Sequence, residues 1–206
     1  MTQSVSFWFD VTCPFAWATS RWIKEVEKVR DVEVEFIPMS LSVLNEDNDI
    51  PADYAQMMEA AWGPARVFAY VKTVSPDKVD ELYTIMGELI HGNGEGGKKG
   101  YDAYEEIVAQ ALDQVGLDKE LAELGRGDTA DEALRAFHAR AIDAVGSDVG
   151  TPVVKLGDTA FFGPVITRIP TGEEAGELFD ASVRLAQYPY FFELKRTRTE
   201  KPQVKN

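Results

Sequence analysis

The stretch Phe7-Trp-Phe-Asp-Val-Thr-Cys-Pro-Phe-Ala-Trp17 decides the reading of this chain. Its first half belongs to an aromatic, β-prone run over 5–10, which predicts a short buried strand. Its second half opens a helix over 15–29, on which Ala18, Trp22, Val26 and Val29 share one face. Pro14 falls in the first turn, where a missing N–H costs nothing, and Thr12 or Asp10 is placed to cap. Residues 32–37, Val-Glu-Val-Glu-Phe-Ile, alternate with period two and stop at Pro38, which predicts a second strand. Strand, helix and strand at this spacing imply a parallel pair with a right-handed crossover.

Outward from that unit the pattern changes. Residues 52–74 read as helix with a break or kink at Gly63-Pro64, and 77–91 as a further helix. Gly92-Asn-Gly-Glu-Gly-Gly-Lys-Lys-Gly100 reads as a mobile loop. Residues 102–115, 117–124 and 129–145 are helical again, the last with Thr129 or Asp128 as cap. Strand signal returns in 153–156 and 159–162, a hairpin with a Gly157-Asp158 turn. A last helix begins at Gly172 and runs to Ala186. The fold class is therefore α/β: a thioredoxin-type layout of residues 1–40 and 148–206, interrupted by an all-α-helical insertion over 41–147.

Composition narrows the function. The chain has 206 residues, 45% hydrophobic and 27% charged, so it is globular, of one or two domains. A net charge of −14 speaks against a nucleic-acid partner. No apolar run approaches the roughly 18 residues of a membrane span. The first ten residues lack the pattern of an export signal. Cys13 is the single cysteine, so neither an internal disulfide nor a thiolate-rich metal site can form. A reducing cytoplasm is the expected setting. The tail 188–206 carries five Lys or Arg against two Glu, and reads either as an exposed solubilising end or as a segment lying over the acidic body.

Cys13 carries the chemistry. It lies just past a strand end and at the start of a helix, where unpaired N–H groups and the macrodipole favour an anion. Its pKa is expected to fall, and the thiolate is the nucleophile of disulfide exchange. A lone cysteine is otherwise a small buried hydrophobe; the strand, Cys-Pro and helix around it point to reactivity. Thr151-Pro152 enters the third strand after a glycine-containing turn, a setting for a cis peptide, although the dipeptide alone reads as an ordinary trans proline.

The stretch 7–17, with Gly146-Ser-Asp-Val-Gly-Thr-Pro152, Ala160-Phe-Phe-Gly-Pro164, Met39-Ser-Leu, Ala61-Trp-Gly-Pro64 and Tyr190-Phe-Phe-Glu-Leu-Lys-Arg-Thr-Arg-Thr-Glu200, resembles the DsbA-like thioredoxin-fold family. Within it, the resemblance is to the mycothiol-dependent reductases of mycothiol-producing bacteria, one branch of which is a nitroreductase. It covers nearly the whole chain. It implies that a thiol cofactor binds between the thioredoxin fold and the helical insertion, that Pro152 is cis and that Cys13 is the nucleophile.

One departure is large. The family's usual site is Cys-Pro-x-Cys, whereas here Ala16 stands in the second cysteine's place. Ala16 is either the natural residue of a monothiol enzyme or an engineered replacement that traps an intermediate. In a monothiol, glutaredoxin-like cycle, Cys13 takes mycothiol from a mixed disulfide. A second mycothiol then releases it, and a separate NADPH-dependent reductase recycles the mycothiol disulfide. Mycothiol is then the thiol co-substrate, with no metal and no bound nucleotide, and a homodimer stays open.

Around Cys13, the residues Pro14, Phe15 and Trp17 flank the nucleophile. In relatives the residue before the cis proline pairs with the ligand's amide, which implies that role for the Thr151 backbone. Trp62 and His91 are expected in the insertion's wall of the cleft, and Asn45 at its start. His91 reads equally as a surface histidine at a helix end, and His138 as structural. Gly92 to Lys99 nearly spells a phosphate loop but lacks the Ser/Thr after the lysine and follows a helix. Two histidines on different helices and one cysteine make no metal site.

Four functions compete. The first is a mycothiol-dependent monothiol disulfide reductase, mycoredoxin-like, acting in oxidative-stress defence. The second is mycothiol-dependent reduction of electrophiles such as nitroaromatics. The third is thiol transfer or isomerisation on the same fold. The fourth is a non-enzymatic thiol-binding module.

Overall fold

The computed structural model describes residues 2–204. Two strands and a helix open the chain: β1 (Gln3–Phe9), α1 (Pro14–Val26) and β2 (Val32–Pro38). Five α-helices follow: α2 (Leu41–Asn45), α3 (Ala52–Val74), α4 (Val79–Gly87), α5 (Glu105–Gln114) and α6 (Asp131–Val145). The chain then closes with β3 (Val153–Leu156), β4 (Thr159–Phe162) and α7 (Gly172–Ala186). The sheet order is β2-β1-β3-β4, with β1 parallel to β2 and antiparallel to β3. The hairpin turn is the expected one, with Gly157 at φ 64°, a left-handed value that suits glycine. Among the described residues no helix is long and apolar enough to cross a membrane.

The alternation of β1 assigns the layers. Val5, Phe7 and Phe9 face one side of the sheet, where they share a buried cluster with α1, α3, α4 and α7. Trp8 faces the other side with Ile37 and Val153, against Ala141 of α6. On the first side an aromatic knot ties the sheet to the intervening helices. The Phe9 ring lies 4.2 Å from Tyr83 of α4 and 5.0 Å from Phe68 of α3, and Phe7 packs 5.2 Å from Phe36. Such pairs add about 0.5–1.5 kcal/mol each beyond the area they bury. The sheet and the helices between β2 and β3 therefore share one core. Trp22 Nε1 donates to Ala175 O at 3.0 Å, seating α7 on α1.

Several expectations are corrected. The helix over 52–74 runs unbroken through Gly63-Pro64. Pro64 is buried, and Gly63 lets Gly125 of the 3-10 turn Lys119–Arg126 approach so closely that a Cβ on Gly125 would lie 3.0 Å from the Gly63 Cα. The helix over 77–91 is composite: a 3-10 turn at Pro76–Lys78, then α4, then a π turn over Glu88–Gly92. Residues 117–124 fall in that 3-10 segment rather than an α-helix. α6 has Ala130 at its N-cap with no side-chain cap, so neither Thr129 nor Asp128 fills that role; Asp128 contributes its backbone carbonyl to Asp131 N.

The far end of the glycine-rich segment is tied to its neighbours. Gly100 N donates to Gln56 O at 2.9 Å, Lys98 N to Tyr104 Oη at 3.2 Å, and Lys99 pairs with Asp53.

Candidate functional site around Cys13

Cys13 is itself the N-cap of α1, with extended backbone (φ −81°, ψ 116°) and no side-chain cap on the helix. Asp10 does a different job from the capping expected of it. Its Oδ1 accepts from Thr12 N at 2.9 Å and Thr12 Oγ1 at 2.7 Å, and its Oδ2 accepts from Leu41 N at 2.9 Å. Asp10 O accepts from Cys13 N at 3.0 Å. One buried carboxylate thus closes the turn that presents the cysteine and fastens it to α2. Burial pushes the Asp10 carboxyl up, and the hydrogen bonds from Leu41 and Thr12 hold it down in part.

A second brace comes from the other side. His91, in the π turn, is 6% exposed, and its Nε2 lies 2.8 Å from Val11 O. A carbonyl can only accept, so Nε2 carries the proton. Burial pushes the imidazole down to about 4, which leaves it neutral near pH 7. His91 also stacks on Trp17, centroids 5.7 Å apart. Trp17 lies one turn after Cys13, with its ring so close to α4 that a Cβ on Gly87 would lie 2.3 Å from it. Glycine is required at 87 by that contact. The surface reading of His91 is thereby overturned.

Thr151-Pro152 is a cis peptide, as is Gly163-Pro164. The Cys13 thiol donates to Thr151 O at 3.4 Å. The two segments expected to face each other across the fold therefore meet at the sulfur. Cys13 is only 7% exposed, and here the expectation of a depressed pKa fails. Burial pushes the thiol up and outweighs the stabilisation of the thiolate by the Thr151 side chain and by the N–H groups of Ala16 and Phe15; the nearby Asp10 raises it further. The helix N-terminus acts in the expected direction, but desolvation is the larger effect.

Of the other expected site residues, Pro14 begins α1, and Phe15 is half-buried with the Arg198 guanidinium 4.7 Å above its ring. Trp62 is not brought to Cys13. It packs with Val43, Ala65 and Leu134, between Arg66 at 4.8 Å and Arg135 at 5.7 Å. Asn45 spends its amide within its own helix, donating to Leu41 O at 2.8 Å. Two residues that the sequence reading missed are close by. Tyr54, in the first turn of α3, has its phenol pushed up by burial and then by the charges of Asp10 and Cys13. Asp10 was seen only as a helix cap. No spacing rule marks either residue, since the partners are distant in sequence. No group of three or more His, Cys, Asp or Glu able to hold a metal occurs among the described residues.

Comparisons with known proteins give the family and the fold. The family model "Rv2466c-like: Mycothiol-dependent nitroreductase Rv2466c" matches residues 12–196, nearly the whole chain. The chain is 27% identical over 197 residues to the uncharacterized protein Rv2286c of Mycobacterium tuberculosis, covering 95% of this chain and 83% of that one. Among solved structures it is similar to Chlamydia trachomatis DsbA (TM-score 0.57, 14% identity, 89% of this chain and 87% of that one). It is also similar to the DsbA oxidoreductase of Xylella fastidiosa (0.52, 17%, 89% and 85%) and to a 2-hydroxychromene-2-carboxylate isomerase (0.55, 15%, 89% and 95%). At these identities the solved structures establish a shared fold.

Proposed function

The chain belongs to the Rv2466c-like family of mycothiol-dependent nitroreductases, and from that premise we propose that it is a mycothiol-dependent oxidoreductase working with one thiol. The observation that carries the reading is the pairing of Cys13 with Ala16. Cys13 stands at the helix start against Thr151 O, and the position for a second cysteine holds a fully buried alanine. With no other cysteine in the chain, Cys13 cannot close an internal disulfide.

The cycle then runs through two exchanges. The Cys13 thiolate attacks the mycothiol sulfur of a mixed disulfide; a new S–S bond forms to mycothiol, and the substrate leaves as its thiolate. A second mycothiol thiolate attacks the mycothiol sulfur of that adduct, releasing mycothiol disulfide and regenerating the Cys13 thiolate. A separate NADPH-dependent reductase returns the disulfide to thiol, and the role is reduction of mixed disulfides under oxidative stress in the cytoplasm.

The family favours a second reading, in which two mycothiols supply the two electrons for reducing a nitroaromatic or similar electrophile. A coupled assay separates the two. With mycothiol and its recycling reductase present, NADPH consumption is expected with a mycothiolated disulfide and to be lost in Cys13→Ser. Consumption with a nitroaromatic only, at the full rate, would replace the disulfide reading.

A further inference from the structure

The described residues of the C-terminal segment run onto the helix that begins after Cys13. Beyond α7 the chain is irregular, and Tyr190, Phe192 and Leu194 stand open to solvent. It then turns back. Arg198 lies over Phe15, two residues past Cys13. Glu200 accepts from Thr167 Oγ1 at 2.6 Å and from Arg168 Nε at 3.1 Å, with Arg168 Nη2 on its other oxygen at 2.9 Å. Gln203 N donates to Thr167 O at 2.7 Å. Val204 is half-buried against the main core cluster, and its carbonyl accepts from Trp17 Nε1 at 3.2 Å. That last bond satisfies the only polar atom of a tryptophan ring that is otherwise enclosed. Seven residues therefore hold the first turn of α1 at two points, Phe15 and Trp17, on either side of Ala16.

We propose that residues 198–204 are a strap that gates Cys13: closed, it fastens Phe15 and Trp17 in the first turn of α1 to the Thr167-Arg168 segment with the thiol enclosed; released, it admits a disulfide. Its anchors differ in kind from the rest of the site. The ion pair and the cation–π contact are solvent-exposed, screened by salt and individually weak, whereas the bond to Trp17 is partly buried. Segments held this way sit at the low-stability end of a fold, where opening occurs without unfolding. The enclosed, protonated thiol is the expected resting state of such a gate, since opening lets water reach the sulfur and removes the desolvation that raises its pKa.

The proposal concerns access to Cys13 and rests on its being the reacting thiol, not on the identity of mycothiol. Its test therefore uses a small neutral probe. The labelling rate of Cys13 by iodoacetamide is measured by intact mass for the full chain, for a chain ending at Thr197, and for Glu200→Gln, with circular dichroism and thermal melting as checks of folding. The truncated chain is expected to label roughly 10-fold faster and Glu200→Gln a few-fold faster. A folded truncated chain that labels no faster than the full chain overturns the strap. Should the truncated chain melt early, Glu200→Gln at unchanged melting temperature decides alone, and an unaltered rate overturns it. The coupled disulfide assay above does not enter either outcome, so the strap and the mycothiol reading fail separately.

Discussion

The turn over 10–13 and the strap over 198–204 meet at one helix start, and they are built in opposite ways. The turn is braced by buried groups from distant elements: Asp10 reaches α2, His91 reaches Val11 from the π turn, and Trp17 fills the space over Gly87. The strap is held mainly by exposed polar contacts to Thr167 and Arg168. Removing a buried partner leaves the other group unsatisfied and costs stability, whereas removing an exposed one returns it to water. The turn that presents Cys13 is therefore braced by buried groups, while the strap beside it rests on exposed ones, which suits the proposed role of a thiol that holds its geometry yet admits a bulky disulfide.

The comparison can be broken by substitution, beginning with the largest effect. Cys13→Ser removes the nucleophile, so turnover of a mixed disulfide should fall by roughly 10³-fold or more with no loss of folded structure. His91→Ala should destabilise the fold by about 1–3 kcal/mol in denaturant titrations, because Val11 O loses its donor inside the protein. Gly87→Ala should cost about 1–3 kcal/mol and perturb the Trp17 fluorescence, since the added methyl cannot coexist with the indole where it stands. Glu200→Gln should leave the melting temperature unchanged.

The pH dependence sharpens the same contrast. The folded His91 titrates at about 4, below its unfolded value of about 6.5, so the folded state binds fewer protons in between. Its contribution is fully present above about pH 6.5 and is lost as pH falls towards 4, by roughly 3 kcal/mol in all. Asp10 acts in the reverse sense, since its raised carboxyl lets the folded state keep a proton that the unfolded chain gives up above its ordinary value. Comparing the wild type with His91→Gln, which retains an N–H for Val11 O, isolates the histidine. The variant's stability should show a shallower fall between pH 7 and 5.

The sequence revealed the elements whose signals are local. The alternation in 32–37, the Gly157-Asp158 turn and the Cys13-Pro14 helix start are all where the residues placed them. The positions that misled depend on partners remote in the chain. Gly63-Pro64 reads as a break or kink, yet the helix continues through it, with Gly63 closely approached by Gly125. The surroundings of Trp62 are likewise set by remote partners, with two arginines and α6 packed on its ring. The tail's basic charge left open a solvated end or a segment lying over the body, and its anchors are Arg198 on Phe15, Glu200 on Arg168 and Val204 against the core. The Cys13 pKa was misjudged for a related reason: a helix start is visible in sequence, but the depth of burial around it is not.

The central claim, one reactive thiol at Cys13 with no internal partner, is tested most directly by intact mass after incubating the reduced protein with mycothiol disulfide and, separately, with glutathione disulfide. The account predicts a single mycothiol adduct on Cys13 that persists until excess mycothiol removes it, and no matching glutathione adduct. No adduct from either disulfide would contradict it, and Cys13 would then be a buried structural residue of a thiol-binding module.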